Sequence, residues 1–563
     1  MATVEGGARV TGFGKVITIL LILGLVGVGA WVILRPKPAP ARPPADGSLP
    51  DTGTADPGGP AGEAEIDPKS EVPALDAPAA YVPRDATLEI ELSEYAGYAG
   101  LIVANGGLAP SENSVFFKKH GFKVKLSVSE EESWSALNSG KLAASATTVD
   151  VVAVYGKQFH VVVPVQIGFS RGADGVVVRK EIRKINDLKG RLLSTAQFTE
   201  AEFFIRYLAQ EAGLPIHTLP SRKSKLDPGK LNLCFCPDAF HAGDLFLEDL
   251  KAGRGRYAGC VTWAPKTTEV ADASGGKAHV LTTNRNLLII ADILIVNRGF
   301  AQQNPKMVAG LVEGVLEGNR LVRDNAEPHL EAIAKAFKWD RAKAKSELSK
   351  VHLSNLPENL AFFSGAIDAA GSFGSIYQSA VYAYGTEFIK DPVDGDRFLD
   401  LKALKEIDQA GAFKDQKISI SPLRSGGSGI VEGNPLLSKD IRFLFEVNED
   451  RLDLKNQDNL KNLESIRKLL QVSPGSTVLL RGHVDDAKKP DFLKQGGEAL
   501  VRQMALKAVD LSKRRATEIR KHLMEIHKVD LVRIEVVGRG WEEPAGRESD
   551  ANRRVEVQWF TLE

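Results

Sequence analysis

The chain of 563 residues contains one run of nineteen residues without a charge, residues 16–34, and this run constrains the structure most strongly. At a rise of about 1.5 Å per residue, such a run crosses the roughly 30 Å hydrocarbon core of a bilayer as a helix. We therefore expect a transmembrane helix at residues 16–34 behind a cytoplasmic segment at residues 1–15. A cleaved signal peptide is the alternative, but its apolar region is normally shorter, and proline interrupts the small-residue motif at residues 39–41.

Charge neither orients this helix nor indicates a partner. Arg9 and Lys15 precede the apolar run. Arg35, Lys37 and Arg42 follow it, so the positive-inside rule is nearly balanced. Over the whole chain, 72 Lys and Arg residues equal 72 Asp and Glu residues. The composition therefore gives no indication of nucleic-acid binding, and we expect none.

Residues 35–85 differ in composition from the rest of the chain. Twelve prolines lie in residues 35–84, among Ala, Gly, Asp and Glu, with almost no aromatic residue. Such a stretch cannot bury enough apolar surface to offset the entropy that is lost on ordering. We expect a disordered, semi-extended linker that holds folded domains away from a membrane.

Residues 86–417 alternate between strand and helix patterns. Residues 123–128 alternate apolar and polar side chains, as strands do. Residues 115–120 form a helical pattern that ends at Gly121. Residues 161–167 are almost continuously apolar, which is typical of a strand that is buried on both faces. This spacing predicts an α/β domain with a mostly parallel sheet.

Several short sequence motifs follow one another along this domain. They include Ser-Glu-Tyr-Ala-Gly-Tyr-Ala-Gly-Leu at 93–101, Phe-Phe-Lys-Lys-His-Gly-Phe at 116–122 and Val-Thr-Trp-Ala-Pro at 261–265. In this order they resemble the substrate-binding proteins of ABC transporters for nitrate, taurine and aliphatic sulfonates. The resemblance implies a two-lobed periplasmic-binding-protein fold, in which a hinge joins two α/β lobes and a small molecule binds between them.

The resemblance also implies a binding site for a small anionic solute on loops between the lobes. Hydroxyl groups and backbone amides near helix N-termini suit an oxyanion, because free donors and the positive end of the helix dipole converge there. No arginine marks a sulfonate or nitrate clamp, so the identity of the solute stays open. The candidate ligand-binding residues are Tyr95, Gly97, Tyr98, Thr147, Thr148, Ser170, Asp174, Thr199 and Trp263, with Asp292 as a weaker candidate.

A second ordered set of motifs lies near the C-terminus. It comprises Arg-Gly-His-Val-Asp at 481–485, Leu-Ser-Lys-Arg-Arg-Ala at 511–516, Gly-Arg-Gly at 538–540 and Asn-Arg-Arg-Val-Glu at 552–556. The set resembles the OmpA-like peptidoglycan-binding domain, which implies an α+β sandwich of βαβ type over residues 436–563 after a linker at residues 418–435. A wall-binding domain must lie outside the cytoplasmic membrane. We therefore expect a single-pass protein of the bacterial inner membrane with most of the chain in the periplasm.

This resemblance assigns Asp485 and Arg515 to a clamp on the diaminopimelate of peptidoglycan, with Asn552 and Arg553 at the border of the same pocket. One carboxylate and one guanidinium can together recognise the ammonium and carboxylate groups of diaminopimelate. The chain departs from the family at Val484, where threonine is usual, and in a long Lys-rich insertion between residues 485 and 511. A scaffold that has lost wall binding is the alternative.

An enzyme is the least favoured function. Cys234-Phe235-Cys236 resembles part of the cysteine-rich stretch of thiamine-pyrimidine synthases, which share the two-lobed fold. The first ligand loop has no lysine of the kind that holds pyridoxal phosphate in those enzymes. We expect no catalytic residue, cofactor or metal site. Together with Cys260, the cysteines are either three small buried residues or one disulfide pair with one free thiol.

There are two non-catalytic alternatives to the solute-binding function. A flagellar-stator-like subunit also joins one membrane helix to an OmpA-like domain, but residues 16–34 contain no carboxylate that could carry a proton. The main rival is a structural envelope protein whose binding-protein fold contacts other proteins. The sequence does not show whether a permease or another envelope protein is a partner.

Overall fold

The computed structural model describes eight stretches of the chain: residues 65–129, 133–221, 223–365, 372–420, 435–445, 450–473, 475–546 and 549–560. The predicted transmembrane segment at residues 16–34 lies outside these stretches. Within them, no helix is both long enough and apolar enough to span a bilayer.

Two sheets form the body that the sequence predicts to be a binding protein. Sheet 1 has the strand order β12-β4-β11-β3-β1-β2 and sheet 2 has the order β10-β5-β9-β6-β8-β7. Each sheet is the centre of one lobe, here lobe 1 and lobe 2, so the predicted two-lobed α/β fold is confirmed. The strands are β1 (Thr87–Leu92), β2 (Lys123–Val128), β3 (Ala144–Thr148), β4 (Val161–Ser170), β5 (Asp174–Arg179), β6 (Leu192–Ala196), β7 (Ile216–Thr218), β8 (Leu231–Cys236), β9 (Gly259–Trp263), β10 (Ala278–Thr283), β11 (Ala291–Asn297) and β12 (Val351–Leu353).

Helices pack on both sheets. As predicted, residues 115–120 form a helix that ends at Gly121, whose φ of 74° is a conformation that favours glycine. The helices of the two lobes are α1 (Ala99–Asn105), α2 (Val115–His120), α3 (Trp134–Asn138), α4 (Val149–Val154), α5 (Glu200–Glu211), α6 (Ala239–Ala252), α7 (Lys266–Ala273), α8 (Arg298–Gln303), α9 (Pro305–Asp324), α10 (Leu330–Phe337), α11 (Arg341–Leu348), α12 (Leu356–Ser364), α13 (Phe373–Phe388) and α14 (Lys402–Gln409).

Both sheets are mixed: among the described residues, sheet 1 has two parallel and three antiparallel strand pairs, whereas sheet 2, in which β7 also pairs parallel with β8, has three parallel and two antiparallel pairs. Strand β4 is buried along its whole length, as its apolar run predicts. Parallel pairs join β1 to β2 and β3, and they join β6 to β8 and β9. However, β11 is antiparallel to β3 and β4, and β5 is antiparallel to β9 and β10. Strands β4, β5 and β11 lead into or out of the crossings between the lobes. They are therefore not joined to their sheet neighbours by the helical crossover that makes two strands parallel.

The chain crosses between these sheets at residues 171–173 and 284–290, and polar contacts join the two crossings. Asn284 donates from Nδ2 to the Asp174 carboxylate at 3.1 Å, and its Oδ1 accepts from the Gly172 amide at 2.8 Å. Asp174 and Asn284, whose side chains make these bonds, are both buried. The two crossings therefore form one hinge that is fixed by buried hydrogen bonds.

Residues 65–84, here called the strap, lie extended against both lobes, although the sequence predicts a disordered linker up to residue 85. At lobe 2, the Ile66 amide donates to the Phe235 carbonyl at 2.8 Å. The buried Glu65 carboxylate accepts from Arg256 at 3.2 Å. The N-terminal end of the strap is thus bonded to lobe 2.

At lobe 1, side-chain amides hold the rest of the strap. Gln158 accepts from the Leu75 amide at 2.7 Å and donates to the Pro73 carbonyl at 2.9 Å. Composition cannot predict such an arrangement, because the bonds use the backbone of the strap rather than its side chains. The strap therefore spans both lobes without forming a helix or a regular strand.

The C-terminal body is the predicted α+β sandwich. Its sheet has the order β13-β16-β14-β15, with β14 parallel to β15. The Lys-rich insertion forms the first turns of one long helix, which kinks at Gly496 and Gly497. The elements are β13 (Leu437–Ile441), α15 (Gln457–Val472), β14 (Thr477–Gly482), α16 (Lys489–His527), β15 (Ile534–Gly538), α17 (Ser549–Asn552) and β16 (Val555–Phe560).

This body packs directly on lobe 2. The Asn186 side chain accepts from the Ser438 amide and donates to the Ser438 carbonyl, each at 2.9 Å. The Leu288 amide donates to the Val472 carbonyl at 2.8 Å. Because Leu288 lies in the second crossing, the C-terminal body is hydrogen-bonded to lobe 2 through β13 and to the hinge through α15.

Asn297 is the buried residue that joins the strap to lobe 1, and we expect its loss to be costly. It accepts from the amides of Tyr81 and Phe300 and donates to the carbonyls of Ala79 and Leu137. We expect Asn297→Ala to lower the free energy of unfolding of the full-length chain by about 2–4 kcal/mol, because four backbone groups lose a partner. Urea denaturation followed by tryptophan fluorescence measures this change.

The matched control is Asn113→Ala, since Asn113 is exposed. We expect this variant to lie within about 0.5 kcal/mol of the unmodified chain. Equal losses in the two variants would contradict a special role of Asn297.

Candidate functional site

A cleft lies between the lobes; its cavity volume is about 40 Å³, and the empty space between its walls reaches about 430 Å³ when open solvent is included. The ends of β1, β3 and β9 and the start of α5 meet here, and carboxyl ends of strands are common places for ligand sites in α/β folds. Both lobes therefore supply its walls. The lining residues are Glu91, Leu92, Ser93, Tyr98, Ser129, Trp134, Ser145, Ala146, Thr147, Thr148, Glu200 and Trp263.

Four of the nine predicted ligand-binding residues line this cleft: Tyr98, Thr147, Thr148 and Trp263. Thr148 Oγ1 and Trp263 Nε1 are buried, and neither atom has a hydrogen-bond partner among the described residues. A buried polar atom without a partner is destabilising unless a ligand or solvent satisfies it. These two atoms are therefore suited to contact a bound molecule.

Tyr95 and Gly97 support the first ligand loop instead of lining the cleft. The Tyr95 hydroxyl donates to Asp292 Oδ2 at 3.3 Å, and its ring packs edge-on against Tyr98 with ring centroids 5.2 Å apart. A Cβ atom at residue 97 would lie 2.2 Å from the Tyr95 ring, so only glycine fits. The two residues fix the position of Tyr98.

Ser170, Asp174 and Thr199 are likewise absent from the lining residues. Ser170 Oγ donates to Asp174 Oδ2 at 2.5 Å, so both side chains belong to the hinge. Thr199 Oγ1 donates to the Ala196 carbonyl at 3.0 Å, which holds the start of α5. Thr199 thereby positions its neighbour Glu200, which does line the cleft.

Three buried carboxylates lie next to the lining residues. Asp292 in β11 is the register partner of Thr148, and Asp174 in β5 is the register partner of Trp263. Asp150 follows Thr148 by two residues and lies in the first turn of α4. All three aspartates are buried, so the cleft is backed by acidic groups from both lobes.

Burial raises the pKa values of these carboxyl groups. The pKa of Asp150 rises to about 7 through burial, with Asp174 and Glu202 adding repulsion. The Thr148 hydroxyl opposes that rise, but its geometry does not satisfy a hydrogen bond to either Asp150 oxygen. Burial raises the pKa of Asp174 to about 6, and burial together with the charge of Asp174 holds the pKa of Asp292 well above its ordinary range. Deprotonation of this group of acids is therefore unfavourable without a counter-charge.

Arg206 is a buried cation near this group, but it already has a partner. Its Nε atom donates to Glu202 Oε1 at 2.7 Å, and its guanidinium lies 5.4 Å from the centre of the Tyr384 ring. A buried ion pair of this kind contributes little net charge to its surroundings. Arg206 therefore does not offset the acids of the cleft.

The acidic residues Glu91, Glu200 and Asp150 do not appear among the residues predicted from sequence. Glu91 lies two residues after the half-buried Glu89 on the same strand, and nothing local distinguishes the two. Glu91 is buried and accepts from the Ser133 amide at 3.1 Å, so its environment is set by a distant part of the chain. For Asp150, the signal available in the sequence is one acidic residue within the otherwise apolar run 149–154.

In the C-terminal body, three of the four predicted wall-binding residues come together. Arg553 Nε donates to Asp485 Oδ2 at 2.5 Å. Burial and the charge of Arg553 lower the pKa of Arg515, while Asp450 and Asp485 act in the opposite direction. The Arg515 guanidinium lies 4.9 Å from the centre of the Phe445 ring. One carboxylate and two guanidinium groups thus form a site that can accept from an ammonium group and donate to a carboxylate.

Asn552, the fourth predicted residue, has a different position. It is buried, accepts from the Ala545 amide at 2.8 Å and donates to the Gly546 carbonyl at 3.0 Å. Its side chain therefore holds the preceding loop in place, and its amide atoms are used within the protein.

One further group among the described residues has metal-ligand chemistry. Ligand atoms of His483, Glu543 and Glu556 lie within 4.8 Å of one another. However, the Arg481 guanidinium forms ion pairs with both glutamates. Because a cationic side chain already neutralises these carboxylates, the donor set does not fit a metal ion.

The three cysteines are buried and free. Burial raises the pKa of the Cys234, Cys236 and Cys260 thiols. They therefore lack the thiolate character of a nucleophile or a metal ligand. The disulfide that the sequence left open is not formed.

Residues 444–558 match the sequence model of the OmpA family. The C-terminal body is an OmpA-family domain. The matched stretch includes Asp485, Arg515 and Arg553, three of the residues that the sequence predicts to bind peptidoglycan. No curated protein matches the chain in sequence.

Solved structures similar to this chain include the periplasmic aliphatic sulphonate binding protein SsuA from Escherichia coli, at 16% identity and a TM-score of 0.42, covering 57% of this chain and 100% of that chain. The periplasmic nitrate-binding protein NrtA from Synechocystis PCC 6803 is 12% identical with a TM-score of 0.40, covering 60% and 90%. The desulfurization enzyme DSZB is 14% identical with a TM-score of 0.37, covering 58% and 100%. Similarity at this level does not identify a ligand or an activity.

Asp150 makes the stability of the chain depend on pH. Because its pKa is raised from 3.8 to about 7, the folded state retains a proton that the unfolded state has lost between these values. The free energy of unfolding therefore falls as pH rises through this window. We expect Asp150→Asn to raise the free energy of unfolding by up to about 4 kcal/mol near pH 8 and by far less near pH 4. Urea denaturation at the two pH values measures the difference.

Asp415→Asn is the control, because Asp415 is exposed. We expect no pH-dependent gain from it. A gain from Asp150→Asn that is the same at both pH values would contradict the raised pKa.

Proposed function

We propose that this chain is a cell-envelope protein that binds a small solute between its two lobes and attaches to peptidoglycan through its OmpA-family domain. One observation carries the proposal. A cleft with walls from both lobes and a cluster of Asp485, Arg515 and Arg553 occur in one folded unit, in which the OmpA-family domain is hydrogen-bonded to lobe 2. Such a unit brings a solute-binding site to the cell wall.

We also propose that residues 16–34 anchor the chain in the inner membrane and that the Pro-rich stretch leads from this anchor to the strap. The uncharged run supports the anchor, since a wall-binding domain requires the rest of the chain to lie in the periplasm. Glu65, the first described residue of the strap, lies on lobe 2, which supports a connection that reaches the folded body at this lobe.

The sequence predicts an anionic solute, and the cleft offers little support for that class. Among the described residues, the charged residues that line it are Glu91 and Glu200. An anion in this place would face like charges in addition to the buried aspartates. A purely structural role of the two-lobed body stays the rival, and a ligand screen on the full-length chain separates the two.

Wall attachment is tested by removing the two charges that are proposed to clamp diaminopimelate. We expect Asp485→Ala and Arg515→Ala each to reduce co-sedimentation of the chain with purified peptidoglycan by at least about tenfold, because a charged group of the ligand loses its partner. Arg502→Ala is the matched control, since Arg502 is exposed on the same long helix as Arg515. Unchanged co-sedimentation of both clamp variants would exclude this site.

A further inference from the structure

Acidic residues face the cleft from both lobes. Glu91 lies on β1 of lobe 1, and Glu200 lies in the first turn of α5 of lobe 2. No lysine, arginine or histidine occurs among the described residues that line the cleft. Two like charges on opposite sides of a gap repel each other, and a cation between them removes that repulsion.

The buried aspartates strengthen this asymmetry of charge. Both carboxylate oxygens of Asp150 are buried and lack a hydrogen-bond partner among the described residues. Asp174 repels both Asp150 and Asp292, and Asp150 repels Asp292. Arg206, the buried cation on this side, is paired with Glu202. A positive charge in the cleft would therefore be favoured by several acids at once.

Aromatic side chains supply a second and independent observation. Trp134 and Tyr98 line the cleft from lobe 1, and Trp263 lines it from lobe 2. Aromatic rings attract cations through their quadrupoles, most strongly where water is excluded. Thr148 and Trp263 also line the cleft, and their buried atoms Oγ1 and Nε1 have no hydrogen-bond partner among the described residues, so they are available to polar atoms of the same ligand.

We infer that the cleft binds a small organic cation whose N–H groups donate to the carboxylates of Glu91 and Glu200, with the chemistry of an aliphatic diamine. This inference rests on the proposed solute-binding function and replaces the anionic solute that the sequence predicts. A ligand that contacts both lobes binds the closed arrangement more tightly than the open one, and it therefore favours closure of the cleft.

The test uses the full-length chain with 1,4-diaminobutane as the probe. The measurements are the midpoint of thermal unfolding and a calorimetric titration. Tetramethylammonium serves as a cation without N–H donors, and ethanesulfonate, nitrate and phosphate serve as anions at the same ionic strength. We expect the diamine to raise the midpoint, because a ligand that binds only the folded state stabilises it. We expect a weaker effect from tetramethylammonium and none from the anions.

Variants assign the binding to the cleft. We expect Glu91→Gln and Glu200→Gln each to weaken diamine binding by about tenfold or more, because each loses a charge-assisted hydrogen bond. Glu89→Gln is the matched control, since Glu89 is half-buried on the same strand, pairs with Lys125 and does not line the cleft. We expect this control to bind the diamine with unchanged affinity.

Three results would overturn the inference. Stabilisation by an anion but not by the diamine would exclude a cationic ligand and leave solute binding intact. Equal diamine affinity in both cleft variants and the control would exclude Glu91 and Glu200 as the binding groups. No response to either class would remove the cationic ligand and count against solute binding itself.

Discussion

The buried contact between Asp174 and Asn284 is the constraint on which the rest of the structure depends. It joins the two crossings of the chain, and it therefore sets which strand ends of lobe 1 face which strand ends of lobe 2. The same contact places a carboxyl group with a pKa of about 6 beside the cleft. Ser170 and Asn284 donate to it, but burial still disfavours its charged form. Asp174 thus contributes both to the geometry of the hinge and to the acidity beside the cleft.

The strap and the OmpA-family domain add mechanical consequences to this hinge. Asn186 and Ser438 fix the OmpA-family domain on lobe 2, while Gln158 holds the strap on lobe 1. Any closure of the cleft therefore moves lobe 1 relative to a lobe that is fixed to the wall-binding domain. The strap spans this movement, because its other end lies on lobe 2.

Local patterns in the sequence predict the parts of the structure that have local causes. The apolar run of β4 predicts a fully buried strand, Gly121 predicts a helix end, and the motif order predicts the OmpA-family domain. The strap has no such local cause, since it is held by residues distant in sequence, among them Phe235, Arg256 and Gln158. Glu89 and Glu91 show the same limit, because they share a strand pattern and differ only in what packs over them.

The sign of the charge that the cleft accepts is also a property of the fold rather than of any motif. Asp150, Asp174 and Asp292 are separated in sequence and become one acidic group only where the lobes meet. The family-like loop at Tyr95 predicts where a ligand binds, and Tyr98 does line the cleft. That loop carries no information about the acids behind it, and so the predicted class of solute has little support from the structure.

The most direct measurement is the number of protons exchanged when a ligand binds, obtained by calorimetric titration in buffers with different ionisation enthalpies. The raised pKa values of Asp150 and Asp174 mean that these acids are partly protonated near neutral pH. A bound cation lowers such pKa values, so we predict that binding of the diamine releases protons at about pH 6.5 and that the release declines as pH rises. Binding of the diamine with uptake of protons, or with no release of protons, would contradict a cation-binding cleft.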